Sequence, residues 1–299
     1  MTLLSSEGLS LTGKTRIFAV LGHPVAHTMS PPMHQAAFRA LGMDAVYAAF
    51  DVLPENLMAV LPAMAVMGFG GVNLTIPHKE VAYKGIADLA PSAQRSASVN
   101  TVVFRADGSL EGHSTDGYGL RMAVKEAFDL DFANASVLLI GCGGAGRAAA
   151  REIAEGGAVR LVLANRTPER ARDLAAELAR EYPAMLVEAA SAWPPPPDTV
   201  QSVNVILNST SLGMNAGDPA LLTPAHLGAH HRMLDMTYVL EETPMMAAVR
   251  TAGGQAVNGL GMLLHQGVRS FELWTGVHPP VEPMRAALRD AVYGKRDHV

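Results

Sequence analysis

Residues 136–166 read SVLLIGCGGAGRAAAREIAEGGAVRLVLANR, and the order of the parts decides the fold. The apolar run from Ser136 to Ile140 predicts a buried strand. It passes directly into Gly141-Cys142-Gly143-Gly144-Ala145-Gly146, a GxGxxG pattern, then into an alanine-rich helix and a second apolar run. Strand, glycine loop, helix and strand within roughly thirty residues make a βαβ unit. Gly141 permits the turn, Gly143 lets backbone approach a pyrophosphate, and Gly146 lets the helix pack on the strand. Gly144 and Ala145 complete the loop, and the helix N-terminus faces the phosphates. The segment therefore predicts dinucleotide binding, against the alternative of a tight turn without a ligand. Cys142 reads as a small buried residue.

The second strand of the unit ends in Asn165-Arg166-Thr167, where an NAD site would place Asp or Glu for the ribose 2′-hydroxyl. With no carboxylate there to repel a 2′-phosphate, Asn165, Arg166 and Thr167 can donate to it, Arg166 with charge assistance. Arg170, one helical turn on, is either a second positive charge for the phosphate or a solvated helix residue. The reading favours NADP(H).

Upstream, RIFAVLG (16–22), VYAAFDV (46–52) and GGVNLT (70–75) alternate with helix-like segments over 31–41 and 54–67. This alternation predicts a largely parallel sheet covered on both faces. TVVFRADGSLEGHS (101–114) departs from it: two apolar runs around Asp107-Gly108 predict a hairpin with a two-residue turn, and so a mixed sheet. A helix follows from Tyr118 to about Phe128. Downstream strands at about 184–188, 203–208 and 232–236 continue a doubly wound sheet. Trp193 and the four prolines after it read as a surface connection. The chain ends in two helices with no further strand, and the fold class is α/β in two domains.

Nearly half of the 299 residues are apolar, enough for a substantial core. A net charge of −5 without a Lys/Arg run gives no electrostatic reason to expect nucleic acid or a membrane surface as partner. A small molecule is expected instead. The single cysteine excludes an intrachain disulfide and fits a reducing cytoplasm. Residues 1–15 lack a signal-peptide pattern and read as a flexible tail.

Further segments carry candidate chemistry. In Asn73-Leu74-Thr75-Ile76-Pro77-His78-Lys79 a strand ends and a helix starts, which places Lys79 in a first helical turn where the helix dipole disfavours it. In isolation Lys79 reads as solvated and Asp116, in STDGYG (114–119), as a helix N-cap. HPVAHTMSPPMH (23–34) raises a metal reading, but Pro24, Pro31 and Pro32 keep its histidines off a common helix face and no carboxylate or thiol is near. What remains is a helix with Ser30 as N-cap and Pro31 at its first position, beside a second hydroxyl at Thr28. HLGAHH (226–231) and His265 read as surface or packing histidines, so no metal site is expected.

Taken in order, HPVAHTMSPPMH, GVNLTIPHKE, SVNTV, STDGYG, GCGGAG, NRT, NSTSLGM, DMTY and GLGMLLHQG give the chain a resemblance to the shikimate/quinate dehydrogenase family over nearly its whole length. The resemblance implies a substrate-binding domain over 16–117, completed by helices over about 260–299, and a Rossmann-like NADP-binding domain over 118–259. It implies NADP-dependent, reversible reduction of 3-dehydroshikimate to shikimate in a monomer or homodimer, with Lys79 and Asp116 as the catalytic pair. Thr28 and Ser30 would hold the substrate carboxylate, with Thr75 and Tyr238 nearby. Asn100, Gln266 and Asn73 would bind or support the ring hydroxyls. Asn208, Ser209 and Thr210, with Met236 and Gly259, would line the nicotinamide side.

Three departures touch the family pattern without removing a catalytic group: Thr28 stands for the common Ser, Ser114 for Asn, and Leu240 for Pro. The extra methyl at Thr28 leaves shikimate against quinate open, so a quinate/shikimate dehydrogenase of broader specificity is one alternative. A non-catalytic, dinucleotide-responsive regulatory relative is the other, although a sensor needs the glycine loop and not Lys79. A methylenetetrahydrofolate dehydrogenase shares the two-domain plan but leaves Thr28, Ser30, Asn100, Asp116 and Gln266 without a role.

Overall fold

The structure, a computed structural model, describes residues 11–294. In chain order the first part forms β1 (Arg16–Gly22), α1 (Ser30–Ala40), β2 (Ala45–Asp51), α2 (Leu57–Val66), β3 (Gly71–Leu74), α3 (His78–Gly85), β4 (Asp88–Leu89), α4 (Pro91–Ser96), β5 (Thr101–Phe104), β6 (Leu110–His113) and α5 (Asp116–Phe128). The second part continues with β7 (Ser136–Ile140), α6 (Gly144–Glu155), β8 (Arg160–Ala164), α7 (Pro168–Glu181), β9 (Leu186–Ala189), α8 (Pro197–Gln201), β10 (Val205–Asn208), β11 (Arg232–Asp235), α9 (Pro244–Thr251), β12 (Gln255–Asn258), α10 (Leu260–Thr275) and α11 (Val281–Tyr293).

The first sheet has the order β2-β1-β3-β5-β6-β4 and is mixed: β1 runs parallel to β2 and β3, whereas β5 is antiparallel to both β3 and β6. The continuous apolar run of β1 follows from its interior place, since its last five residues are buried. The second sheet has the order β12-β11-β10-β7-β8-β9 with every pairing parallel. That is the Rossmann order, and its direction of progression reverses between β7 and β10. Register places Ile140 beside Ala164 on one side and Asn208 on the other, so three loops leave the sheet together at this switch point.

Several details differ from the sequence reading. The β5–β6 turn is a three-residue loop: the Gly108 N–H donates to the Arg105 carbonyl, Arg105 pairs with Ser109, and only Gly108 has positive φ, at 82°. This is a type I turn closed by a left-handed glycine, because Asp107 does not adopt the positive φ a two-residue turn demands of it. Met29 precedes the first residue of α1, and Ser30 makes no capping bond. Pro197 opens the short helix α8, where a missing N–H costs nothing, and Pro195 is buried. Of the expected tail, residues 1–10 lie outside the described residues, while Thr12 and Thr15 bond the Asp44 carboxylate just before β2.

Two helices join the two sheets. Leu120, Ala123 and Val124 of α5 belong to the core around β7 and β8, while the same helix begins just beyond the end of β6 in the first sheet. Leu264, Val268, Phe271 and Trp274 of α10 belong to the core around β1 and α1, where Met284 and Leu288 of α11 join them, and Met262 packs against the other core. Phe271 is fully buried, with its ring centroid 5.2 Å from that of Phe38. Phe271→Ala should therefore lower the unfolding free energy by about 3–5 kcal/mol, read by urea titration; a loss below about 1 kcal/mol would show that α10 is held by other contacts.

Candidate active site

The strand ends of the first sheet bring two helix starts face to face. After β3 the chain turns through Thr75-Ile76-Pro77, and Lys79 is the second residue of α3; after β6 it turns through Ser114 and Thr115, and Asp116 is the first residue of α5. Lys79 Nζ lies 2.6 Å from Asp116 Oδ2, with the side chains 29% and 23% exposed. A cation is unfavourable at a helix N-terminus and an anion favourable, so the pair offsets one dipole interaction with the other. Asp116 does not act as N-cap: Thr115 takes that place, and the second carboxylate oxygen accepts from Asn100 Nδ2 at 2.9 Å. Each oxygen of the carboxylate thus meets one donor, a charge-assisted arrangement with two fixed directions.

Behind the pair lies a buried polar layer. Asn100 Oδ1 accepts the Thr115 backbone N–H at 2.8 Å, which settles the orientation of the amide and points Nδ2 toward Asp116. Gln266 Oε1 is 3.4 Å from Asn100 Nδ2, and Gln266 Nε2 donates to the Leu263 carbonyl. Asn73 is nearly buried: Tyr47 donates to its Oδ1 at 2.7 Å, and its Nδ2 faces the Asn100 carbonyl, Thr101 Oγ1 and Ser270 Oγ at 2.9–3.1 Å. Both hydrogens of Asn73 are thus used within the protein, so it supports the site. Thr28 and Ser30 stand side by side, Oγ1 to Oγ 3.4 Å, where β1 hands over to α1. Thr75 is half-buried, its methyl close to Gly22.

An open cleft of about 730 Å³ runs between the sheets and is lined by Lys79 and Asp116 from one side and by Gly144, Ala145 and Met236 from the other. The glycine loop has the geometry that phosphate contact needs. Gly141 has φ +102°, a Cβ on Gly146 would meet the Gly141 carbonyl, and a Cβ on Gly143 or Gly144 would meet nothing. The backbone N–H groups at the start of α6 are therefore free of side-chain cover. Ser209 braces the turn with its single hydroxyl proton facing the Ile140 and Gly141 carbonyls, at 3.0 and 2.9 Å. Cys142 is buried, which pushes its thiol up to about 11.

On the cofactor side Asn165 Oδ1 accepts the Cys142 N–H at 3.0 Å and its Nδ2 donates to the Thr167 carbonyl at 2.9 Å, which shapes the loop and uses one of its two amide hydrogens. Arg166, Thr167 and Arg170 are exposed beyond it, with no ion pair to either arginine among the described residues. Asn208 reads as lining the nicotinamide side, but it is fully buried and bonds Asp235, the Leu212 carbonyl and the Thr210 hydroxyl. Burial raises the pKa of Asp235, against hydrogen bonds from Thr237, Thr243 and Asn208. Gly259 lies against the Met236 carbonyl, where a Cβ would collide, and half-buried Tyr238 has its phenol pKa raised by burial.

Comparison with known proteins gives this geometry a family. Residues 20–102 match the model of the shikimate dehydrogenase substrate binding domain, residues 122–213 that of shikimate/quinate 5-dehydrogenase, and residues 259–289 that of the shikimate 5′-dehydrogenase C-terminal domain. A shikimate dehydrogenase (NADP(+)) from Moorella thermoacetica is 41% identical over 290 residues, covering 95% of this chain and 96% of that protein. The chain belongs to the shikimate dehydrogenase family. The shikimate 5-dehydrogenase of Thermus thermophilus, solved with NADP(H) and shikimate, is 34% identical with a TM-score of 0.80, covering 92% of this chain and 99% of that one. Quinate dehydrogenase from Corynebacterium glutamicum, solved with NAD, is 28% identical with a TM-score of 0.82, covering 91% and 98%. The family fold therefore accommodates both acids and both dinucleotides, and the choice rests on side chains.

The sequence reading did not single out Tyr47, Thr101, Thr115 or Ser270, all members of the buried layer. The available signal was a polar residue where periodicity asks for an apolar one, as at Ser270, one turn after Gln266 on an apolar helix face. The histidines of HPVAHTMSPPMH separate in space. His23 pairs with Asp51 at 2.6 Å, His27 is exposed, and His34 is fully buried with its ring stacked 4.4 Å from Tyr47. Burial lowers the pKa of His34 from 6.5 to about 3, so the folded protein keeps it neutral while the unfolded chain protonates it below about 6.5. Its contribution to stability is thus complete at neutral pH and falls as pH drops from about 6.5 toward 3, by about 2 kcal/mol at pH 5. Urea titrations at pH 7 and pH 5 should find His34→Phe less acid-sensitive than wild type by about that amount; equal sensitivity would show that His34 is not a source of the acid lability.

Proposed function

We propose that this chain is an NADP-dependent shikimate dehydrogenase that reversibly reduces 3-dehydroshikimate to shikimate. The observation that carries the reading is the Lys79 ammonium, 2.6 Å from Asp116, in the wall of a cleft that the glycine loop also lines. Family membership supports the reaction, and relatives bear the name shikimate dehydrogenase (NADP(+)). In this reading residues 16–117, with helices from about 260, carry the substrate and residues 118–259 the cofactor.

NADPH, when held on the Gly141–Gly146 loop, supplies the hydride for the ketone carbon. Lys79 holds a proton at Nζ toward the oxygen on which negative charge develops, stabilises that charge and delivers the proton. Asp116 accepts from Lys79 and Asn100 and so keeps the ammonium aimed. In the oxidative direction Lys79 receives the proton, and because one proton is released per turnover oxidation gains as pH rises. Thr28 and Ser30 clamp the substrate carboxylate, with Thr75 and Tyr238 nearby, and Asn100 and Gln266, backed by Asn73, meet the ring hydroxyls. Arg166, with Asn165, Thr167 and Arg170, meets the 2′-phosphate. Asn208 stabilises the loops behind these contacts, while Ser209, Thr210, Met236 and Gly259 form the nicotinamide side.

The Lys79–Asp116 pair favours this enzyme over a non-catalytic dinucleotide sensor, which has no use for a buried-edge proton donor. The Thr28 methyl, at the carboxylate clamp beside Ser30, bears on discrimination between shikimate and quinate, and a broader quinate/shikimate dehydrogenase is the alternative reading. All residues named come from one chain, so a monomer or homodimer suffices. Among the described residues no helix is long and apolar enough to cross a membrane, and the single cysteine fits a reducing cytoplasm.

Steady-state assays of shikimate and quinate against NADP and NAD test this reading. Wild type should turn over shikimate with NADP, and Lys79→Ala should lose about 10²–10⁴-fold in kcat while shikimate binding by calorimetry changes far less. A wild-type protein that binds NADPH yet oxidises neither acid would falsify the assignment. Arg166→Gln should raise the KM for NADP at least about tenfold and leave that for NAD nearly unchanged, since only the former carries the 2′-phosphate; equal changes for both would remove the arginine from phosphate recognition.

A further inference from the structure

We infer that Ser270 is a positioning residue for the substrate ring: its hydroxyl ties α10, and with it Gln266, to the polar groups of β3 and β5 that lead to Asp116. The inference rests on the shikimate dehydrogenase reading and names a residue that reading leaves without a role. Ser270 is fully buried on α10 beside the buried Gly267 and Phe271, where alanine would occupy the same space with no hydroxyl to satisfy. Its proton has an acceptor within the helix, the Gln266 carbonyl at 3.0 Å, which leaves the oxygen lone pairs for other elements. Three of them converge there: Asn73 Nδ2 from β3 at 2.9 Å, Thr101 Oγ1 from β5 at 2.8 Å, and Thr115 Oγ1 from the start of α5 at 3.2 Å.

Proton placement gives this convergence a direction. The Thr101 hydroxyl can turn to Ser270 Oγ or to Asn100 Oδ1, at 2.8 and 3.0 Å, and the Asn100 oxygen already receives the Thr115 N–H. With Ser270 present, Thr101 donates to it and Asn73 keeps its shortest contact. Without it, the Thr101 proton returns to Asn100, Asn73 loses an acceptor, and α10 loses its polar anchor one turn from Gln266. The Asn100-to-Asp116 bond stays, because the Thr115 N–H still orients that amide. Ser270 thus acts on the groups that face the ring and leaves the Lys79–Asp116 pair in place.

The test is steady-state kinetics of the full chain carrying Ser270→Ala or Ser270→Cys, with both melting temperatures recorded. Ser270→Ala should raise the KM for shikimate about three- to tenfold, the effect of one lost net hydrogen bond, with kcat and the KM for NADP within about twofold. Ser270→Cys, close in shape and with a weak donor and acceptor, should fall between alanine and wild type; it also carries the test should the alanine variant not fold. An unchanged KM for shikimate in either folded variant overturns the inference, as does an equal rise in both KM values, which marks general loosening. An active wild type alongside such a result limits the failure to Ser270, whereas a wild type without shikimate turnover overturns the proposed activity and this inference together.

Discussion

The Asp116 carboxylate is the constraint on which the arrangement of this protein turns. A charge that is less than a quarter exposed needs compensating donors, and here it has one per oxygen, Lys79 from α3 and Asn100 from the segment before β5. Lys79 follows β3 and Asn100 directly precedes β5, so satisfying the carboxylate fixes the relative positions of β3, β5 and α5. Because α5 then runs into the second core through Leu120, Ala123 and Val124, the same interaction fixes where the second sheet stands.

The polar layer beneath this pair and the apolar cluster behind it are complementary. Tyr47 belongs to both: its phenol donates to Asn73, and its ring stacks on neutral His34, next to Trp274. Trp274 in turn donates its indole N–H to the Val102 carbonyl at 3.0 Å. Close packing restricts how these rings move, so the amides they support are held by shape as well as by hydrogen bonds. The cofactor side uses the same device at smaller scale, with Ser209 bracing the glycine turn and Asn208 joined to Asp235 beneath the loops. On both sides, the groups exposed to the cleft are few and the groups that hold them are buried.

Much of this was legible in the residues. The βαβ unit and the α/β plan follow from periodicity and glycine spacing, and the NADP preference from Arg166 at a strand end without a carboxylate, because these signals act over a few residues. The hairpin at Asp107-Gly108 was legible as a hairpin but not as its turn type, since one glycine at positive φ suits either form. Asn208 shows where a matched motif does not distinguish a ligand contact from a brace. An amide beside a nicotinamide wall can bind a ligand or brace the backbone, and the positions of Asp235 and the Leu212 carbonyl decide it for Asn208.

Sequence alone determined which chemical groups exist at the ends of which strands, because strand, turn and helix signals are local. It could not determine that Lys79 and Asp116, 37 positions apart, meet at 2.6 Å, or that Ser270 meets Asn73 across 197 positions. Those contacts depend on how helices cross two sheets, which is settled by burial of apolar faces on α5 and α10. Tertiary structure therefore decided which polar residues are free for a ligand and which are occupied in holding the others, since a buried donor or acceptor must be satisfied by whatever the packing brings to it.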